Sequence, residues 1–75
     1  MEHNYQGIYL YYSYSNTLTN NNVNNNDNNG FRLDSSDENI FNNNFADDNV
    51  NAGIFIYSSD DNNLTNNDFS DNYYG

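Results

Sequence analysis

Apolar residues recur along this chain in short alternating runs. The stretches "IYLY" from Ile8, "FRLD" from Phe31 and "IFIY" from Ile54 place an inward side chain at every second position, the two-residue period of a strand with one buried face. Weaker apolar points follow each run, at Leu18 and Val23, then Ile40 and Phe45, then Leu64 and Phe69. No window carries helical periodicity. The pattern predicts three short strands in succession, polar turns between them, and then the same again.

The repetition is metric. Glycine falls at 7, 30 and 53, each time opening a similar phrase, "GIYLYYS", "GFRLDSS" and "GIFIYSS", so the period is 23 residues. Ungapped superposition stacks Ile8 on Phe31 and Ile54, Leu10 on Leu33 and Ile56, and Ser13 on Ser36 and Ser59. Asn16 meets Asn39 and Asn62, Asn20 meets Asn43 and Asn66, and Asn21 meets Asn44 and Asn67. Phe41 lies between Leu18 and Leu64. In the middle unit, however, Ile40 and Phe45 reproduce the spacing of Leu18 and Val23 one position early. That predicts a turn shortened by one residue before Asn39 and lengthened by one after Phe45.

Three short strands per 23 residues describe one coil of an all-β, parallel β-helix, with coils at 7–29, 30–52 and 53–75. A leucine-rich repeat would need an apolar residue where Asn28 stands, and the calcium-binding nonapeptide roll would need paired glycines every nine residues. The expected core is Ile8, Leu10, Leu18, Val23, Phe31, Leu33, Ile40, Phe45, Ile54, Ile56, Leu64 and Phe69. Glycine is expected to open each coil with a permissive dihedral, and the serine column to close strand one.

Composition then changes meaning. Asparagine fills 21 of 75 positions, which alone would suggest a disordered tract. At fixed offsets it becomes structural, because coils about 4.7 to 4.9 Å apart bring like residues together and amides can hydrogen-bond along the stack. The best candidates for such ladders are Asn16/39/62 and Asn20/43/66.

Charge narrows the partners. Arg32 is the one basic residue against eleven acidic ones, for a net charge of -10. Without Lys or Arg to replace counterions, no nucleic-acid binding is expected, nor attraction to anionic membranes. No apolar run is long enough for membrane insertion as a helix, and "MEHNYQ" lacks the features of a secretory signal peptide. With no cysteine there is neither a disulfide nor thiolate chemistry. Neutral polysaccharide and cations remain.

Two groups of residues bear on those partners. Asp37 and Glu38 align with Asp60 and Asp61 one coil on, four carboxylates that would repel unless a hard cation such as calcium sat between them. Asp47, Asp48 and Asp71 form a second acidic group, and solvated turns are made of the same residues. On strand one the outward positions stack Tyr9, Arg32 and Phe55, then Tyr11, Asp34 and Tyr57, with Arg32 placed for cation–π contact. Tyr9, Tyr11, Phe55 and Tyr57 are therefore either a platform for sugar rings or a stabilising cross-strand ladder. His3 has no partner in sequence and reads as a surface residue. "NLT" at Asn63 is a glycosylation sequon placed in a coil corner.

The pattern "GIYLYYSYSNTLTNNNV" resembles the repeats of the NosD-like periplasmic copper-binding family, within the right-handed β-helices of carbohydrate-binding proteins and sugar hydrolases (the CASH group). The resemblance covers about Tyr5 to Gly75. It implies a right-handed three-sided helix, an extracytoplasmic location at the periplasm or cell surface, and frequently a longer parent solenoid. It also implies copper delivery, yet copper wants Cys, Met or His, and this sequence offers only Met1 and His3 outside the repeats. No cofactor other than calcium is expected. The combined expectation is a non-enzymatic scaffold or carbohydrate-binding module. The alternatives are a piece of a polysaccharide lyase or glycosidase, or of a copper-delivery protein. Neither end looks capped, and "NYYG" reads as the approach to a fourth glycine at Gly75. The partners expected are accordingly further coils of the same solenoid or end-to-end self-association.

Overall fold

The computed structural model describes residues 2–74. The described residues are all-β and contain no helix. The strands are β1 (Ile8–Tyr11), β2 (Thr17–Thr19), β3 (Phe31–Asp34), β4 (Ile40–Asn42), β5 (Ile54–Tyr57) and β6 (Asn63–Thr65). They form two parallel sheets, ordered β1-β3-β5 and β2-β4-β6. Every pairing advances by the 23-residue period, as in Ile8 with Phe31 with Ile54 and Thr17 with Ile40 with Asn63. The expected third strand is reduced to single parallel bridges, Asn22 to Phe45 and Phe45 to Asp68. Left-handed residues at Asn20 and Asn25 close that segment on both sides, and its pairing stops at one rung.

Corners repeat in columns as well. Left-handed backbone occurs at Tyr12/Ser35/Ser58, Ser15/Glu38/Asp61, Asn20/Asn43/Asn66 and Asn25/Asp48/Asp71, with φ between 47° and 58°. Asn, Asp and Ser dominate because their short polar side chains tolerate this conformation. The Asn20/43/66 column is thus a corner and not the stack of bonded amides expected of it. The adjacent Asn21/44/67 column carries the bonds instead.

Asn44 shows how. Its Oδ1 accepts the Asn21 N–H at 2.9 Å and the Asn21 amide at 3.0 Å, while its own Nδ2 donates to the Leu18 carbonyl at 2.9 Å. Its backbone N–H donates onward to Asn67 Oδ1 at 2.9 Å. One buried amide thereby satisfies backbone groups that the adjacent left-handed corner takes out of the ladder. Asn16/39/62 is bonded in the same way. A third column, Asn26/49/72, follows the same rule at the next corner. Serine does likewise, with the Ser13 N–H donating to Ser36 Oγ and the Ser36 N–H to Ser59 Oγ, while each hydroxyl donates to the carbonyl two residues earlier.

These columns correct the expected shift in the middle unit. With Asn39 and Asn44 pinned by hydrogen bonds, β4 keeps the plain 23-residue register, and period two then decides which face each side chain takes. Phe41 and Ala46 point inward and are fully buried, whereas Ile40 and Phe45 point out. Phe41 meets Phe31 edge to face at 5.2 Å. The core is therefore Val23, Phe31, Leu33, Phe41 and Ala46, flanked by Ile8, Leu10, Leu18, Ile54 and Phe69. Ile56 and Leu64 occupy core columns but are exposed, because no described residues stack above them.

Glycine also has another cause than the one expected. Among the described residues no glycine has positive φ. A Cβ on Gly30 would instead lie 2.8 Å from the Ala46 Cβ, 2.8 Å from the Gly53 carbonyl oxygen and 2.9 Å from Asn49 Nδ2. The same crowding, with Asn26 or Asn72, holds at Gly7 and Gly53. Glycine is needed for room beside the third asparagine column.

Candidate functional site

The sheet β1-β3-β5 turns one face to solvent. Alternation along three short strands brings Tyr9, Arg32 and Phe55 into one row across it, and Tyr11, Asp34 and Tyr57 into the next. The Arg32 guanidinium lies between two rings, its carbon 5.2 Å from the centre of Tyr9 and 5.5 Å from that of Phe55. Arg32 Nη2 is 3.9 Å from Asp34 Oδ2, to which the Tyr9 hydroxyl also donates at 3.4 Å. Arg32 Nε is buried without a hydrogen-bond partner among the described residues, covered by the stacked rings instead of by an acceptor. Asp34 thus answers one edge of the guanidinium while the rings cover its faces.

Four expected platform residues are brought to this face, Tyr9, Tyr11, Phe55 and Tyr57, and all four are exposed. Tyr11 and Tyr57 each leave 58% of their surface to water. The face is larger than the strands predict. Tyr12, at its left-handed corner, meets the Tyr11 ring edge to face at 4.5 Å, and Tyr9 lies 6.0 Å from Tyr11. The run "YLYYSY" was the signal for that extension, but strict alternation assigns Tyr12 no place on the face. Tyr12 and then partial burial and Asp34 hold the Tyr11 phenol above its ordinary value of 10.0, so it remains a neutral hydrogen-bond donor at neutral pH. Among the described residues no cavity opens, so any ligand lies on a surface.

The acidic corner is built differently. Asp37 Oδ1 accepts the backbone N–H of Asp60 at 2.7 Å, joining two units in the direction opposite to the serine column, where the earlier unit's N–H donates. Glu38 and Asp61 are exposed left-handed corner residues. Among the described residues no three His, Cys, Asp or Glu side chains come together as a metal-holding group. In the second acidic group, Asp47 Oδ1 accepts from the Ser70 hydroxyl at 3.0 Å, and Asp48 and Asp71 are corners.

His3 is exposed, and its backbone N–H donates to the Asn25 carbonyl at 2.9 Å. Met1 lies outside the described residues, as does Gly75. Asn63 is the first residue of β6, not a corner, and its Oδ1 accepts from the Thr65 hydroxyl at 2.8 Å. No helix among the described residues is long and apolar enough to cross a membrane.

Comparison with known proteins adds one finding. The sequence model of a family described as "Periplasmic copper-binding protein (NosD)" matches residues 1–75. No curated protein and no solved structure matches the chain.

Proposed function

The chain belongs to the NosD periplasmic copper-binding family, and from that premise we propose a non-enzymatic, extracytoplasmic β-helix module that holds neutral polysaccharide on its aromatic face. In this reading the 23-residue units are coils of a right-handed β-helix, the asparagine columns are its ladders, and the sheet β1-β3-β5 is a rigid scaffold for the rings. The observation that carries it is the stack of Tyr9, Arg32 and Phe55 with Tyr11 and Tyr57 alongside.

Exposed rings on a flat sheet suit the apolar faces of pyranose units, and the tyrosine hydroxyls and the free edges of Arg32 supply polar partners for sugar hydroxyls. Neutral glycans are favoured because a net charge of -10 repels acidic ones. The family's copper is not carried over. Copper takes thiolate, thioether or imidazole donors. The sequence has one methionine, one histidine and no cysteine, and His3 sits at an exposed corner.

Affinity electrophoresis through gels containing neutral β-glucans, mannans or starch tests the proposal. Retardation is expected for at least one of these, and Tyr9→Ala with Tyr57→Ala should weaken it about tenfold or more, as the loss of two stacked rings implies. Migration unchanged by every neutral glycan, or retardation indifferent to both substitutions, would remove the sugar platform from consideration.

A further inference from the structure

The glycines at 7, 30 and 53 are each required by close packing, but the residue before them changes from Gln6 to Asn29 to Ala52. Asparagine directly before glycine is the pairing in which a side-chain amide is most readily attacked by its own backbone, since glycine has no Cβ to crowd the ring that forms. Of all the asparagines in this chain, Asn29 alone precedes glycine.

The fold encloses that pair. Asn29 is 1% exposed. On one side its Oδ1 accepts the Ala52 N–H at 3.1 Å and the Asn51 amide at 3.0 Å, while the Gly30 N–H donates to the Ala52 carbonyl at 2.9 Å. On the other side the Asn29 N–H donates to Gln6 Oε1 at 3.3 Å. The Asn29 and Gly30 carbonyls accept the Gly7 and Ile8 N–H groups at 3.1 and 2.9 Å. Both partners of a ring closure, the Gly30 nitrogen and the Asn29 carboxamide, are thus tied to residues 51–52, and the peptide between them is clamped to residues 6–8. Packing also fixes both identities. A Cβ at Gly30 would collide with Ala46 and the Gly53 carbonyl, and the Ala52 N–H takes its acceptor from Asn29.

We propose that Asn29–Gly30 is a latent self-modification site, closed while residues 51–52 cover it and committed to deamidation when that segment lifts away. Once Ala52 releases the Gly30 N–H, hydroxide or water takes its proton and the nitrogen attacks Asn29 Cγ. The Cγ–Nδ2 bond breaks, ammonia leaves with a proton, and a five-membered succinimide remains. Water then opens one of its two carbonyl–nitrogen bonds. Cleavage at Cγ leaves aspartate at 29, and cleavage at the backbone carbonyl carbon leaves isoaspartate. In sum an amide and water become a carboxylate and ammonium, with nothing oxidised or reduced.

Neither product returns to the native arrangement. Aspartate places a charge in a site that is closed to water. Isoaspartate adds one atom to the backbone between two clamps, so Gly30 and β3 beyond it lose register with the units on either side. Opening at this seam is therefore recorded irreversibly. The corresponding positions hold no such record, because Gln6 would need a less favourable six-membered ring and Ala52 has no side-chain amide.

Ageing the whole chain in mildly alkaline buffer across a urea series tests this. Peptide mass spectrometry with isoaspartate methyltransferase labelling locates and counts the product, and circular dichroism gives the fraction unfolded. Conversion at Asn29 should accelerate about tenfold or more across the unfolding transition, because its rate follows the population of the open form. In urea it should outrun conversion at every other asparagine. Chains converted at Asn29 should fail to regain the native spectrum on dilution, whereas Asn29→Gln, which copies Gln6, should age and refold without loss. Where Asn29→Gln does not fold, unaged wild type passed briefly through the same urea is the control. A rate that stays flat across the transition overturns the proposal. So does a faster conversion elsewhere in the chain, or full refolding of converted chains.

Discussion

The middle unit and the last unit carry the same pattern and end in different states. Phe31, Leu33, Phe41 and Ala46 are completely buried, whereas Ile56 and Leu64, in the columns of Leu33 and Phe41, leave about two fifths of their surface exposed, 41% and 42%. The asparagines divide the same way: Asn39, Asn44 and Asn49 are buried, while Asn62, Asn67 and Asn72 are half-buried. A unit cannot cover its own inward faces, because its side chains point both into the stack and along it. Burial is supplied by neighbours on both sides, and among the described residues only the middle unit has two.

Substitutions placed at matched positions sharpen that contrast. Phe41→Ala removes a ring packed on Phe31 and should lower stability by about 3 to 5 kcal/mol, enough to unfold a small chain, while Leu64→Ala in the same column should cost about 1 to 2 kcal/mol. Urea melts followed by circular dichroism compare the two, and equal losses would mean that the last unit is as well packed as the middle one. The asparagine pair comes next. Asn44→Ala strands the Asn21 N–H and the Leu18 carbonyl in the interior and should cost about 2 to 3 kcal/mol, against about 1 kcal/mol for Asn67→Ala, where water reaches the open face. Should Asn67→Ala prove the more damaging, the account of the columns as interior satisfiers fails. The smallest effect is expected at Phe45, whose side chain faces solvent, so Phe45→Ser should change stability by no more than about 0.5 kcal/mol. A loss comparable to that of Phe41→Ala would restore the shifted register of the middle unit.

At β4 the pattern of apolar residues is ambiguous, and hydrogen bonds decide it. Ile40, Phe41 and Phe45 offer two apolar patterns one residue apart, and hydrophobicity alone favours the pair that repeats the spacing of Leu18 and Val23. Asn39 and Asn44 stand in the plain 23-residue register, and their hydrogen bonds outweigh the exposure of Ile40 and Phe45. The third column, Asn26/49/72, was equally legible at the same period. Asparagine is so common here, however, that a bonded column and a corner column such as Asn21/44/67 and Asn20/43/66 look alike in sequence. Only backbone conformation separates them, since Asn20, Asn43 and Asn66 are left-handed and the next residues are not. The aromatic face was legible along β1, β3 and β5 because strand alternation is rigid, whereas Tyr12 joins it through a corner that alternation does not describe.

By itself the sequence determined the period, the strands that open each unit, their parallel register and the rows of outward residues, because a repeat in register carries its own alignment. Three things were decided only by the tertiary structure. It chose which of two neighbouring apolar residues faces inward at β4, since that rests on hydrogen bonds to the units on either side. It made glycine a matter of space rather than of dihedral, since the crowding atoms belong to the next unit and to the segment 16 to 19 residues on, as the approach of Ala46 and Asn49 to Gly30 shows. And it gave identical columns unequal burial, since covering a face takes a neighbour that the pattern of one unit does not contain.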